Sequence, residues 1–308
     1  MSASVQSPSP RSPLGGVLEA HGATVLFGLA GLFGKWVQAP ALVVAGVRTA
    51  IAAVCFAGLL AVWPRLGAPP DRGTGAAGSA DAVRAGLLAA LGGALLGGHW
   101  WLFFQAIQAA TVAVALLAYA TAPGFVAVLE PLLQRRAPAP AALAAAGLVV
   151  AGVALMVPRW SFREATAVGA AWGVGAGLLF ALLMLLNRRL VPRYGPVRLA
   201  FYLNVGASAV LLPALPSVWA PLRAVDWVLL AVLGVAFTVL AHTLFIASLR
   251  RLQAQTAAII SAMEPVYGIV GAFVLLGEVP AVRAILGGAV IVGTVMWVSA
   301  RTTRHGGA

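Results

Sequence analysis

Apolar stretches long enough to cross a bilayer recur along the whole length of this sequence, separated by breaks rich in Pro, Gly and Arg. A run of about 18 or more predominantly apolar residues reads as a membrane-spanning helix, and no soluble core absorbs so many of them. Composition agrees: 61% of the 308 residues are hydrophobic and 9% are charged, with mean hydropathy +0.97, where soluble domains carry roughly 25% charged residues. The bilayer is the main solvent. The 35 Gly and 19 Pro fit this reading, because both are commoner in membrane helices than in soluble ones.

Cutting at the breaks predicts an all-α membrane protein of about ten spans. The first group lies near residues 18–37, 41–62, 85–105, 111–134 and 139–157, and the second near 168–190, 199–215, 227–249, 254–276 and 282–299. Residues 1–17 are Ser/Pro-rich and lack the charged and apolar regions of a signal peptide, so they read as a disordered cytoplasmic tail, with 300–308 as a second one. Orientation follows from the basic residues, which short cytoplasmic loops carry in excess. With the N-terminus inside, the inner segments hold Arg11, Arg65, Arg72, Arg84, Arg135, Arg136, Arg188, Arg189, Arg193, Arg198, Arg250, Arg251, Arg301 and Arg304. The outer segments hold only Lys35, Arg159, Arg163, Arg223 and Arg283. This alternation needs an even number of spans and puts both termini in the cytoplasm.

The formal charge of +12 is thus a topology signal scattered through loops, and it does not form a nucleic-acid patch. The single cysteine, Cys55, leaves no disulfide framework or Cys-based metal site within one chain. Basic residues that are nearly all Arg, in a chain rich in Ala and Gly, point to a GC-rich bacterial genome and hence to the bacterial inner membrane.

The chain also repeats itself. Pro123 and Pro138 stand fifteen apart, Pro265 and Pro280 repeat that spacing, and His99 and His242 precede these prolines at nearly equal distances. Pro40 and Arg48 are matched in spacing by Pro196 and Asn204. Each copy then holds five spans, residues 18–157 and 168–299, and an odd number forces the copies into opposite orientations. Inverted repeats are the architecture of secondary carriers, whose substrate sites lie near the midplane on helices broken by Gly or Pro. On these residues the sequence resembles a known family. QTAAIISAMEPVYGIVGAFVLLGEVPAVRAILGGAVIVGTVMWV is similar to the end of an EamA-type repeat of the drug/metabolite transporter superfamily, and HWWLFFQAIQAATVAVALLAYATAPGFVAVLEPLL to its first-half counterpart. The second copy keeps a Pro followed thirteen residues later by a Glu, as Pro265 and Glu278, whereas Arg136 stands at that Glu position in the first. The resemblance implies a ten-helix carrier of amino acids or related metabolites, often an exporter.

Ionisable groups inside spans are costly and face the protein interior, so each is a functional candidate. Glu264 leads, since it lies near the middle of its span and Pro265 disfavours helical geometry there, freeing carbonyls toward a cavity. It could couple protons, bind a substrate amine, or pair structurally with Arg48. Glu130 and Pro131 repeat the Glu-Pro pair closer to the cytoplasmic interface, as gating or structural residues, and Pro123 breaks the face that Tyr119, Val126 and Glu130 share. Arg48 lies close enough to the outer side for its side chain to reach the interface, with a substrate carboxylate or Glu264 as partner. His99 and His242 occupy related places and are either functional or hydrogen-bonded between helices. Trp101, Trp172 and Tyr202 sit deeper than the other aromatics, to hold an apolar substrate group or to pack. Trp36, Trp63, Trp160, Trp219, Trp227 and Trp297 fall near span ends as interfacial anchors. The glycines of GALLGG (93–98) and GAAWGVGAG (169–177) let helices approach closely and are not nucleotide loops.

A secondary carrier of small molecules, with protons as a candidate coupling ion and without cofactor, is the expected function. An intramembrane enzyme would want a nucleophile with its base, or paired carboxylates with His, in one aqueous pocket, and these residues are dispersed in sequence. No catalytic residue and no metal site is expected, because no metal-ligand spacing joins the four histidines. A receptor or scaffold would be expected to carry large loops, and ATP drive would need a phosphate loop. The predicted topology is tested by a tag fused after Ala308: it should stay unlabelled by impermeant reagents outside intact cells, and labelling would refute the orientation.

Overall fold

In lipid, a helix satisfies its own backbone, so the informative features are where helices start, break and touch. The computed structural model describes residues 13–67, 79–159, 161, 163–219, 221–248, 251–252, 260–261 and 263–305. Its principal α-helices are α1 (Pro13–Trp36), α2 (Ala41–Val62), α3 (Ser79–Ala109), α4 (Val112–Tyr119), α5 (Ala122–Leu133) and α6 (Pro140–Met156). They continue as α7 (Ala165–Tyr194), α8 (Pro196–Leu211), α9 (Ala224–Gly234), α10 (Ala241–Ser248), α11 (Glu264–Leu276) and α12 (Val282–His305), and no strand occurs among the described residues. A π-helical stretch, Val235–Leu240, joins α9 to α10.

Among the described residues seven stretches are long and apolar enough to cross a membrane: Leu14–Trp36, Ala41–Val62, Val83–Ala109, Val112–Leu133, Ala165–Tyr194, Pro196–Ser217 and Ala224–Phe245. Pro140–Met156, Glu264–Leu276 and Val282–Trp297 are shorter apolar helices. The chain is a multi-pass membrane protein. The outer helices run further than the expected spans: α1 opens on Pro13, where a missing N–H does no harm, and α12 continues through 300–305. Helix α3 also starts earlier than hydropathy suggests, at Ser79, because residues such as Arg84 suit a helix end without being apolar. Positions 1–12, 306–308 and 253–259, the early part of the ninth expected span, lie outside the described residues.

The prolines act where the sequence places them. Helix α4 ends at Tyr119, and α5 begins at Ala122 with Pro123 in its first turn. Helix α11 begins at Glu264 with Pro265 next, so the matching prolines sit at matching helix starts.

Packing interleaves the two halves of the sequence. Helix α7 packs along α3, α4 and α5, and α1 packs along α9, α10 and α11; α2 meets α8, and α6 meets α12. Each half's first helix thus rests on the other half's later helices, and like meets like in the last two pairs. Directions can be read from close contacts. Lys35, at the end of α1, reaches Ala110, and Gly169, at the start of α7, abuts Ala110. Helices α1 and α7 therefore run in opposite senses, one arriving at this end and the other departing.

Small residues make these approaches, as the GALLGG and GAAWGVGAG runs suggest. A Cβ on Gly93 would lie 2.6 Å from the Gly206 Cα, and one on Gly28 would lie 2.7 Å from the Glu264 carbonyl oxygen. Backbone contact of this kind substitutes van der Waals packing for the absent hydrophobic drive between helices. Large side chains such as Val54, Leu87, Val150, Val270 and Val274 point outward instead. Gly93→Val is expected to destabilise the α3–α8 contact by about 1–3 kcal/mol through overpacking, read as a lower Tm of the purified protein. Gly147→Ala, where an added methyl meets nothing within 4 Å, should leave Tm unchanged or raised, and equal effects would contradict the packing.

Candidate functional site

The site begins with Arg48, seven residues into α2 and fully buried. Its Nε donates to Thr238 Oγ1 at 2.7 Å and its Nη2 to the Phe237 carbonyl at 3.0 Å, while the guanidinium lies 3.5 Å from the centre of the Trp100 ring. The π-helical stretch makes this seat. It presents the Phe237 carbonyl to the guanidinium, and Thr238 Oγ1 donates to Leu233 O at 2.8 Å, leaving its lone pairs for Arg48. Such π-turns concentrate at functional sites. A desolvated cation over an aromatic face gains about 2 kcal/mol. The remaining Nη1 is buried without a hydrogen-bond partner in the protein.

Two histidines flank the guanidinium. His99 Nδ1 lies 3.0 Å from the Ala176 carbonyl, and His242 Nδ1 lies 2.8 Å from the Thr238 carbonyl. A carbonyl only accepts, so each Nδ1 carries its proton, and whenever the ring is neutral Nε2 is left as an acceptor. His99 is boxed by Trp100, Phe103, Tyr119 and Phe180, and His242 meets Phe27 edge-on at 5.2 Å. Glu264, half-buried at the first position of α11, completes the set. Arg48 acts electrostatically on His99, His242 and Glu264, and Glu264 acts on Tyr119.

Several expectations change. The Arg48 side chain does not reach an interface; it turns inward because the π-turn supplies the acceptors that water would otherwise provide. Among the described residues no ion pair joins Arg48 to Glu264. Trp101 and Trp172 pack on each other, with centroids 6.1 Å apart, and Tyr202 stands 37% exposed against Tyr194 and Phe201, away from the cluster. Tyr119 and Glu130 do face the same neighbour, Tyr119 meeting Phe180 of α7 and Glu130 pairing with Arg188 of α7. Pro131 continues α5 beyond Glu130.

Other polar contacts were not anticipated. Lys35 Nζ caps the end of α3 by donating to Ile107 O at 2.9 Å and Ala110 O at 2.6 Å, and it lies 3.7 Å from Glu278 Oε1. Glu278 Oε2 accepts from the first amide of α4, Val112 N, at 2.9 Å. Asp226, buried beneath Arg223, accepts from Gln38 N at 3.0 Å and so ties the α1–α2 turn to α9. The Arg-x-x-Asp spacing of a helix start could have revealed Asp226. His21 and Tyr267 share a 2.6 Å hydrogen bond between α1 and α11, for which the sequence carries no signal.

With this geometry established, comparison with known proteins is decisive. The profile of the EamA-like transporter family matches twice, over residues 14–157 and 167–300. The chain belongs to the EamA-like transporter family. That membership, within the drug/metabolite transporter superfamily, makes it a membrane transporter and not an enzyme. An uncharacterized transporter of Archaeoglobus fulgidus is 32% identical over 196 residues, which cover 63% of this chain and 69% of that one. A solved crystal structure shares the fold with a TM-score of 0.59 at 19% identity, over 96% of this chain and 100% of its own.

Thr238→Val removes the acceptor for Arg48 Nε without changing side-chain size and should cost about 1–3 kcal/mol by leaving a buried donor unpaired. Thr243→Val, whose hydroxyl donates to the Val239 carbonyl one turn earlier and leaves no buried charged donor behind, should cost less. Equal Tm shifts would show that Thr238 does not seat Arg48.

Proposed function

We propose that this EamA-like transporter is a secondary carrier of about ten spans that exports amino acids or related amphipathic metabolites by alternating access. In this reading the copies at 18–157 and 168–299 are inverted, the protein sits in the bacterial inner membrane, and both termini are cytoplasmic. The opposite directions of α1 and α7 and the distribution of Arg between the two ends support that topology.

One observation carries the substrate class: Arg48 keeps a buried, unpartnered Nη1 while the half-buried carboxyl of Glu264 lies within its field and unpaired with it. A guanidinium donor and a carboxylate that do not satisfy each other suit the two ends of a zwitterion, the first taking its carboxylate and the second its ammonium. The ring box of Phe103, Tyr119 and Phe180 around His99 suits an apolar side chain. In this reading Glu264 also serves as the group through which protons couple to transport.

The test is counterflow in proteoliposomes against a panel of labelled amino acids, with and without a pH gradient. Arg48→Met should weaken apparent affinity roughly 10- to 100-fold through loss of a charged hydrogen bond. Glu264→Gln should abolish the effect of the gradient. No counterflow with any amino acid would sink the substrate class, and an unaltered gradient effect in Glu264→Gln would sink the coupling role.

A further inference from the structure

Two ion pairs outside the central cluster have the same design at opposite ends of the molecule. Lys35 and Glu278 join the ends of α1 and α11, and Arg188 and Glu130 join the ends of α7 and α5. In the repeat, α1 corresponds to α7, and α11 to α5. Both pairs therefore link the first span of one half to the fourth span of the other, and both link helices running in parallel. Along α1 and α11 this is shown by Gly28 beside Gly268 and then Lys35 beside Glu278; along α7 and the α4–α5 segment, Gly169 meets Ala110, Gly177 meets Thr121, and Arg188 meets Glu130. The stretch of α7 between Gly169 and Arg188 spans roughly 28 Å at about 1.5 Å per residue, close to the thickness of a bilayer core. The two pairs thus lie on opposite faces, with the Arg48 cluster between them.

We propose that Lys35–Glu278 and Arg188–Glu130 are the two gates of the transport pathway, opened alternately. The inference rests on the carrier reading above and adds to it the residues that close each end. Both pairs are formed in this structure, which is therefore occluded, in agreement with the near-complete burial of Arg48, His99 and Thr238. The gates are unequal. Side chains of the Lys35–Glu278 pair are 30% and 19% exposed, and Lys35 also holds two carbonyls of α3 while Glu278 holds the start of α4. Those of Arg188–Glu130 are 63% and 33% exposed, beside a cavity of about 170 Å³ lined by Leu133, Gln134, Leu185 and Arg189. Exposed pairs are weaker, so the Arg188 end opens first from the occluded state.

The test reads accessibility from each side. In a Cys55→Ala background, a reporter cysteine at Ala120, in the break between α4 and α5, is labelled with an impermeant maleimide in right-side-out and inside-out vesicles. Glu278→Gln should raise labelling from the Lys35 end roughly two- to fivefold and lower it from the other; Glu130→Gln should do the reverse. Changes in the same direction at both ends, or none, overturn the proposal. The exchange Glu130→Arg with Arg188→Glu should restore the original labelling, so the proposal stays exposed to failure even if Glu278→Gln does not fold. Counterflow by the unsubstituted protein is measured in the same vesicles. Its absence would sink the carrier reading, whereas transport with non-reciprocal labelling would sink the gates alone.

Discussion

Inside a bilayer every backbone group released from a helix has to be answered by the protein itself, and the architecture follows from how this chain answers each release. The π-turn at 235–240 turns the Phe237 carbonyl toward Arg48, which donates to it. The corner between α3 and α4 frees carbonyls on one side and amides on the other; Lys35 answers the first and Glu278 the second, each charge matching the helix end it meets. At the break between α4 and α5, Thr121 Oγ1 bonds the Ala118 carbonyl at 2.7 Å. Charges that would be expensive in lipid are thereby stationed at the points where a helix is interrupted.

Much of this was legible in the sequence. Helix α2 follows its expected span closely, because an apolar run broken only by Arg48 and Thr49 and bounded by Pro40 and Trp63 leaves little choice. The prolines at 123 and 265 mark real helix starts, and the glycine runs mark real close contacts, since both act through local geometry. Helix ends proved longer than hydropathy implied, because hydropathy sees apolarity whereas a helix continues into polar residues, as in α3 and α12.

For the candidate site, intramembrane polarity singled out Arg48, His99, His242 and Glu264, and the face shared with Glu130 singled out Tyr119. Their pairings were not readable, because the acceptors for Arg48 exist only through the π-turn, which leaves no mark in the apolar run around Thr238. Lys35 was visible merely as a loop charge, and its bonds to carbonyls more than seventy positions away depend on how α1 meets α3. Trp101, Trp172 and Tyr202 share an apolar depth with the cluster but face other neighbours, a difference of helix rotation that hydropathy does not encode.

The interleaving of the two halves bears on how the protein is made. Helix α1 precedes the other helices described, yet part of what it packs against, on α10 and α11, is synthesised more than two hundred residues later. Until then Gly28 lacks the Glu264 and Gly268 backbone it meets in the finished fold. Within its own half α1 finds only part of its packing, at Phe104, Ile107 and Val112, so the closing of its remaining face is a late event that waits for the second half.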